Sequence, residues 1–208
     1  MENHTIKAVI FDLGNVLIDF DHRISARRIS EFTDKAPDEI FGIFFDSRLT
    51  SDFECGKISP EDFFVQVKQL LGLKIGFDVF VPIWNEIFFS SDKNRQVYEL
   101  VRRLGRDYKT CLLSNINILH FEYLKKKFPV FDIFRKVVTS FEAGVQKPDA
   151  LIYELAVRGL GVSFDEVFYT DDRPELIKEA RTLGIHSFVF QGIVQLESDL
   201  KNQGIKIN

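Results

Sequence analysis

The sequence predicts an α/β fold, a parallel sheet whose first strand is followed by a helical insertion. Short apolar runs alternate with segments of helical period along the second half of the chain, and this alternation is typical of α/β sheets. About 95 residues separate the first apolar run from the second, whereas a strand–helix–strand unit needs about 30. The extra length predicts a small helical cap.

The predicted strands are short apolar runs bounded by polar or turn residues. They are Ala8–Phe11, Thr110–Leu113, Val137–Thr139, Val167–Tyr169 and Ser187–Phe190. The helices predicted among the later strands are Tyr98–Leu104, Ile118–Phe128, Ala150–Gly159 and Pro174–Leu183. The amphipathic helices predicted in the insertion are Arg23–Phe32, Pro37–Phe45, Pro60–Leu71 and Phe77–Phe88. Residues 1–15 and 93–208 would form the core, and residues 16–92 the cap.

Composition excludes several classes of protein. The chain has 208 residues, 45% hydrophobic and 28% charged, which is ordinary for a soluble globular protein. A net charge of −4 with scattered Lys and Arg makes nucleic acid a poor partner. No apolar run approaches the roughly 20 residues of a membrane span, and Met1–Lys7 lacks the layout of a signal peptide. We therefore expect a cytoplasmic protein without membrane contact.

Cysteine is rare in this sequence, whereas phenylalanine is abundant. Cys55 and Cys111 lie far apart without metal-type spacing, so we expect two reduced thiols. Phe is abundant, with 22 copies, several of them in pairs such as Phe44-Phe45, Phe63-Phe64 and Phe88-Phe89. The pairs predict an aromatic-rich core before residue 90.

Polar residues follow the first two strands of the predicted sheet. Asp12 comes directly after the first apolar run, at the sheet edge where α/β proteins place their ligands. Ser114 and Asn115 follow the second, where a hydroxyl and the N–H groups of the next helix can converge on an anion. Taken singly, turn chemistry explains Asp12 as well, and helix capping explains Ser114.

The next two segments complete the set. Lys147 precedes Pro148 near the start of a helix, and an extended lysine there can neutralise a phosphate, although a solvated lysine is the simpler alternative. Asp171 and Asp172 end the fourth strand, and adjacent carboxylates repel each other unless a cation is near, although a turn or helix cap would also explain them. Because the carboxyl ends of parallel strands share one edge, these residues together predict a site for phosphoryl transfer.

In this order the motifs resemble those of the haloacid dehalogenase (HAD) superfamily. They read Phe11-Asp12-Leu13-Gly14-Asn15-Val16, Leu113-Ser114-Asn115, Lys147-Pro148 and Tyr169-Thr170-Asp171-Asp172. The resemblance implies a Rossmann-like core and, with the insertion after the first motif, the C1-capped subclass I. The cap segment Phe53–Phe63 is similar to a stretch common in that subclass.

The resemblance also implies a mechanism in which Asp12 attacks phosphorus and water then hydrolyses an aspartyl-phosphate. Mg²⁺ would bind Asp12, the Gly14 carbonyl and Asp172, with Asp171 as a supporting partner of metal or water. Ser114 and Asn115 would hold phosphate oxygens. Lys147 would neutralise the developing charge.

Gly14 departs from the usual pattern, since most family phosphatases carry a second Asp there as general acid and base. Its loss would slow catalysis by about 10²–10⁴-fold unless another group substitutes. Gly at this place resembles the branch of bacterial sugar-1-phosphate phosphatases, and it predicts a leaving group that departs easily, as in a sugar 1-phosphate or acyl phosphate. Asp19, Asp21 and His22 are the nearest replacement acids, although a hinge or solvent-facing role is the simpler interpretation.

The expected enzyme is thus a Mg²⁺-dependent phosphatase of a small phosphorylated metabolite, monomeric or weakly dimeric. The main alternative is a binding or regulatory protein that kept the fold but lost the acid at Gly14. A dehalogenase, which needs no Asp171-Asp172 pair, and a phosphotransferase or phosphomutase are less favoured. For the cap side of the site, the sequence offers Arg48, Glu54, Trp84 and Asn85 as guesses at the lining.

Overall fold

The structure is a computed structural model that describes residues 5–45 and 47–208. Strands β1 to β7 span Ala8–Phe11, Asp19–Phe20, Phe88–Phe89, Lys109–Ser114, Lys136–Thr139, Val167–Asp171 and His186–Val189. Helices α1 to α5 span His22–Ile29, Pro37–Phe45, Arg48–Glu54, Pro60–Leu71 and Phe77–Asn85. Helices α6 to α11 span Asp92–Leu104, Ile118–Lys127, Ser140–Ala143, Ala150–Leu160, Pro174–Thr182 and Ile193–Asn202.

The predicted α/β fold is confirmed, and each of the five predicted strands lies within one or two residues of its expected bounds. These strands form one parallel sheet in the order β5-β4-β1-β6-β7. The chain adds β4 and β5 on one side of β1 and then crosses over to add β6 and β7 on the other. The sheet therefore has a switch point beside β1, where α/β sheets form a ligand crevice at their carboxyl edge.

Alternate residues of the central strand face opposite sides of the sheet. Val9 and Phe11 belong to an apolar cluster with α6, α7 and α11, and Ala8 and Ile10 belong to a cluster with α9 and α10. All four side chains are fully buried. Helices cover both faces, so the polar residues of the strands reach a ligand only at the strand ends.

The insertion folds around its own aromatic cluster. Phe44, Phe63, Phe64, Phe80 and Trp84 are buried in it, which confirms the predicted aromatic core for the parts of the chain that the structure describes. The pair at the end of the insertion behaves differently. Phe88 is half-buried and Phe89 is exposed, because both lie in the two-stranded ribbon formed by β2 and β3.

Several element bounds differ from prediction for local reasons. The first cap helix ends at Ile29 and continues as a 3-10 turn, Ser30–Phe32, and α5 ends at Asn85 rather than Phe88. Helix α6 begins at Asp92, six residues early, because Ser91 and Asn94 cap its N-terminus reciprocally. Helices α3, α8 and α11 and the ribbon were not predicted.

The ribbon of β2 and β3 joins the insertion to the sheet, and the boundaries at residues 16 and 92 stay a prediction. Both cysteines are buried free thiols, as expected. None of the helices in the described part of the chain combines the length and apolar character that a membrane crossing needs. The expectation about a signal peptide concerned Met1–Lys7, of which the first four residues lie outside the described chain.

Candidate active site

Asp12 stands at the end of the central strand. Its backbone N–H donates to Thr170 O at 3.0 Å, which continues the pairing of β1 with β6 by one residue. This register brings Asp12 level with Asp171 on one side and with Leu113 on the other. Burial raises the pKa of Asp12 to about 7, and the charge of Asp171 adds to the rise while Lys147 opposes it.

Lys147 forms ion pairs with two of the carboxylates at this edge of the sheet. Its side chain is 2% exposed, and its Nζ donates to Asp12 Oδ1 at 2.7 Å, to Asp171 Oδ2 at 2.6 Å and to Leu113 O at 3.1 Å. These three acceptors match the three donors of an ammonium group. Burial alone would lower the pKa of Lys147, but the two carboxylates outweigh it and raise the pKa, so the lysine stays charged.

Asp171 is fully buried behind the cavity and accepts hydrogen bonds from three neighbouring residues. Its Oδ2 accepts from Lys147 and from the Tyr169 hydroxyl, and its Oδ1 accepts from the Arg173 N–H at 2.9 Å. Burial pushes the pKa of Asp171 up, but the charge of Lys147 and these hydrogen bonds hold it below its usual value. Asp171 therefore remains a carboxylate that orients Lys147.

Asp172 extends beyond the strand and lines the cavity, so the alternative of a helix cap does not hold for it. Its Oδ2 accepts from Asn15 Nδ2 at 2.9 Å, a link across 157 positions of sequence. Asn15 adopts the left-handed conformation, with a φ of 55°, which Asn tolerates better than most residues. The role of Asn15 could not be predicted from sequence because its partner is distant in the chain.

The three carboxylates and one ammonium leave two negative charges uncompensated at this edge. Asp12, Asp171 and Asp172 each place a carboxylate oxygen within 4.8 Å of the others. Mg²⁺ prefers oxygen ligands and usually takes one or two carboxylates with water or phosphate. The donor set and the charge therefore fit a divalent cation.

The second strand contributes Ser114 and Asn115 in different ways. Ser114 is buried and lines the cavity, and its hydroxyl makes a long contact of 3.5 Å to Asn115 O. Helix α7 is capped by Asn117, so capping does not explain Ser114. The Asn115 side chain exchanges hydrogen bonds with the Lys147 backbone at 2.8 and 3.0 Å, so it holds the lysine segment in place. Its contact with a phosphate stays a prediction.

Gly14 faces an aromatic ring. A Cβ atom built on Gly14 would lie 2.7 Å from Phe20 Cε1, far inside van der Waals contact. Phe20 belongs to β2, so the ribbon that leads into the insertion fills the space beside the glycine. A side chain at position 14 is thus excluded unless Phe20 moves.

These residues line a cavity of about 430 Å³ between the sheet edge and the insertion. The sheet edge supplies Asp12, Ser114, Asn115, Lys147 and Asp172. The insertion supplies Phe20, His22, Phe44 and Glu54. Of the four guessed lining residues only Glu54 is correct, since Trp84 and Asn85 are buried in the insertion and the Arg48 side chain is 95% exposed.

The nearest acids suggested by sequence take other roles. Lys93 and Ser91 bind Asp19 at 2.6 and 2.8 Å, and although burial raises its pKa, these hydrogen bonds hold it below its usual value. Asp21 caps α1 by accepting from the Arg23 N–H. His22 does line the cavity, but burial lowers its pKa to about 4, so it is a neutral ring there.

Comparison with known proteins agrees with this arrangement. The chain is 26% identical to a sesquiterpene phosphatase of Aspergillus oryzae over 87% of this chain and 88% of that protein. It is 24% identical to a D-ribitol-5-phosphate phosphatase of Bacteroides thetaiotaomicron over 88% of this chain and 91% of that protein. A HAD family enzyme from B. thetaiotaomicron, crystallised with magnesium and inorganic phosphate, superimposes with a TM-score of 0.77 at 27% identity, covering 88% and 93% of the two chains.

A family model for haloacid dehalogenase-like hydrolases matches residues 6–184, which include every residue of the buried charged edge. The match runs from the first strand through the insertion to the fourth strand of the sheet and its following helix. It covers most of the chain and agrees with the fold and with the order of the motifs. The chain belongs to the haloacid dehalogenase-like hydrolases.

Proposed function

We propose that this protein is a Mg²⁺-dependent phosphoric monoester hydrolase that uses Asp12 as its nucleophile. Its substrate is a small phosphorylated metabolite, and a sugar phosphate is the class we favour. The similar D-ribitol-5-phosphate phosphatase supports that class. The cavity supports it too. The charged residues of the sheet edge suit the phosphate with its metal ion, and the aromatic and polar residues of the insertion suit the organic part of the substrate.

One observation carries the proposal, namely the buried contact of Lys147 with both Asp12 and Asp171. A buried ion cluster costs desolvation free energy, so such groups are poor devices for stability alone. They are common where a site must bind and transfer charge. The cluster opens to a cavity of substrate size through Asp12, which is the geometry that a carboxylate nucleophile needs.

Each group has a definite part in the proposed reaction. Lys147 fixes the Asp12 carboxylate by holding Oδ1, and it balances charge as the phosphoryl group arrives. The carboxylate attacks phosphorus, the leaving oxygen departs, and water then cleaves the aspartyl-phosphate to release inorganic phosphate. Ser114 and the backbone beside it bind the phosphate oxygens, and Asp171 keeps Lys147 oriented.

Asp12, Asp172 and the Gly14 carbonyl would hold Mg²⁺. When bound, the ion supplies positive charge that offsets the two uncompensated carboxylates and the phosphate. Asn15 prepares Asp172 for this part by holding its Oδ2. Gly14 lies in a tight turn in which the Ile18 N–H donates to Leu13 O at 3.1 Å and the Asn15 N–H donates to Ile18 O at 2.8 Å, and neither bond uses the Gly14 carbonyl.

Phosphate release from a panel of metabolites tests the proposal. The panel holds sugar phosphates of several positions, sugar 1-phosphates and acetyl phosphate, each with Mg²⁺ and with a chelator. We expect turnover that needs Mg²⁺ and falls by more than about 10³-fold in Asp12→Asn. A folded protein that binds Mg²⁺ but releases no phosphate from any substrate would favour the alternative, a binding or regulatory role.

A further inference from the structure

We propose that Glu54, at the end of α3, is the general acid and base of this active site. The proposal rests on the proposed function above and adds the group that protonates the leaving oxygen and activates water. Three independent observations support it: the exclusion of a side chain at Gly14, the place of Glu54 in the cavity, and the contacts that fix its backbone.

The first observation is that the sheet edge has no room for its own acid at Gly14. The Phe20 ring occupies the space that a side chain at position 14 would need. Gly14, Phe20 and Glu54 also line one small recess of about 60 Å³ beside Ser114. Glu54 of the insertion therefore lines the same recess as Gly14 of the sheet edge.

The second observation is that Glu54 lines the cavity that holds the nucleophile. It lines the 430 Å³ cavity together with Asp12, Ser114 and Lys147. The remaining ionisable groups around this cavity are His22, Asp172, Arg173 and Glu175. Asp172 accepts from Asn15 and is a proposed Mg²⁺ ligand, and Glu175 forms an exposed ion pair with Arg173 at 2.8 Å, so neither is the carboxyl left for proton transfer.

The third observation is that the Glu54 backbone is fixed to the sheet side of the molecule. Ser140 Oγ donates to Glu54 O at 2.6 Å. Two residues later, Gly56 has a φ of +65°, and a Cβ on it would lie 2.3 Å from Phe141 O. Only glycine permits so close an approach of the two backbones. The Glu54 backbone is therefore held against the sheet side of the cavity although it belongs to the insertion.

The charge environment suits proton transfer near neutral pH. Burial raises the pKa of Glu54 to about 7, and the positive charges of Arg173 and Lys147 limit the rise. A general acid works best when its pKa lies near the working pH. At such a pH the Glu54 carboxyl is protonated often enough to donate, and the carboxylate that remains can accept a proton from water.

The proton balance closes over one cycle. In the first step, an Asp12 oxygen bonds to phosphorus, the bond from phosphorus to the leaving oxygen breaks, and the Glu54 proton passes to that oxygen. In the second step, water bonds to phosphorus, gives a proton to Glu54, and the bond between phosphorus and Asp12 breaks. Asp12 ends as a carboxylate and Glu54 ends protonated, ready for another substrate.

This assignment widens the range of substrates expected from Gly14. Without an acid, the site would favour leaving groups that depart unprotonated, as in sugar 1-phosphates and acyl phosphates. With Glu54 as the acid, phosphates of ordinary alcohols, such as a sugar phosphorylated on a primary carbon, become substrates as well.

The test compares Glu54→Gln with the unmodified enzyme on aryl phosphates of graded leaving-group pKa, from 4-nitrophenyl to phenyl phosphate, with saturating Mg²⁺. We expect the variant to lose about 10²–10⁴-fold in kcat/KM on the poorest leaving group and little on the best. In the unmodified enzyme, kcat/KM for phenyl phosphate should fall above pH about 7 as Glu54 loses its proton. This fall should be absent from Glu54→Gln, because its amide does not titrate.

Three variants serve as controls. Glu175→Gln alters a carboxylate at the same cavity and should leave the leaving-group dependence unchanged. Glu61→Gln alters an exposed cap residue and should leave activity unchanged. Asp12→Asn should abolish turnover of every substrate.

The outcomes separate the two proposals. If Glu54→Gln weakens all substrates equally, or none, while Asp12→Asn still abolishes turnover, Glu54 is not the acid and the phosphatase assignment stands. If the unmodified enzyme hydrolyses no phosphate ester, both proposals fail. A steeper leaving-group dependence in Glu54→Gln alone supports Glu54.

Discussion

The sheet edge and the insertion bury polar groups in contrasting ways. Among the described residues, the buried charged side chains are Asp12, Lys147 and Asp171, and all three meet at the carboxyl edge of the sheet. The insertion instead buries aromatic rings, with uncharged Ser25 and Thr50 among its few buried polar residues. The edge thus holds fixed charges, while the insertion closes the cavity with apolar surface.

The two regions therefore have different parts in one active site: the sheet edge supplies oriented charges, and the insertion excludes water. Charges that are paired and hydrogen-bonded are already oriented before substrate arrives, which is what electrostatic stabilisation of a transition state requires. Apolar walls exclude water and strengthen those charges by lowering the local dielectric. Glu54 belongs to the insertion yet lines the same cavity as the charged residues of the sheet edge. It is the residue through which the insertion takes part in the proposed proton transfer.

The largest effect is expected when the charge balance of the edge is broken by Lys147→Met. Removing one partner of a buried ion cluster leaves the others uncompensated, so the free energy of unfolding should fall by about 3–5 kcal/mol at neutral pH. Denaturant titration measures it. Phosphate release should fall as well, because Asp12 loses its orienting contact.

The stability loss of Lys147→Met should depend on pH with a definite sign. Without the lysine, the folded-state pKa of Asp12 rises further above that of the unfolded chain, and the pKa of Asp171, which the lysine holds below its usual value, rises as well. The penalty is therefore absent below the unfolded pKa, near 4, and grows as pH rises. Lys126→Met, at an exposed lysine of α7, is the matched control and should change little. A deficit that shrank as pH rose would contradict this account of the cluster.

A smaller effect is expected where the insertion approaches the sheet side, in Gly56→Ala. The added Cβ would combine left-handed backbone strain with an overlap against Phe141 O, so we expect a loss of roughly 2–4 kcal/mol. Because the segment also carries Glu54, hydrolysis of poor leaving groups should fall more than hydrolysis of good ones. Equal losses on all substrates would show that Gly56 matters only for folding.

The smallest effect is expected at the contact between Gly14 and Phe20. Gly14→Ala forces the ring to shift and should cost roughly 1–2 kcal/mol, measured by denaturant titration. Gly42→Ala is the matched control, because nothing lies within 4 Å of its Cβ position in helix α2, and it should stabilise by up to about 1 kcal/mol. If both variants behaved alike, the Phe20 ring would not be what excludes a side chain at Gly14.

The sequence was informative at this edge because three strands carry a polar residue at or next to their carboxyl end. Asp12, Ser114 and Asp172 could be placed together on this ground, since parallel strands share their carboxyl edge. Lys147 lies beyond β5 and α8, and its place before Pro148 at the start of a helix was the signal for it. Asn15 could not be assigned to Asp172, because the two residues lie 157 positions apart and side-chain pairing between distant segments leaves no periodic signal.

The insertion was less predictable for physical reasons. Strands β2 and β3 have two residues each, too short for a hydrophobic period to register. The contact between Phe20 and Gly14 and the hydrogen bond from Ser140 to Glu54 depend on how the insertion sits against the sheet. Glu54 was among the guessed lining residues, but no feature of the sequence favoured it over Arg48 or Trp84.

The most direct test of the central claim is to detect the phosphoryl group on Asp12. The unmodified enzyme and Glu54→Gln would be mixed with 4-nitrophenyl phosphate and Mg²⁺, quenched in acid within the first turnover, digested and examined by mass spectrometry. We expect one phosphoryl group on the peptide that contains Asp12, accumulating further in Glu54→Gln because hydrolysis then lacks its base. Nitrophenol release from both proteins with no phosphoryl group on Asp12 at any time would contradict the account.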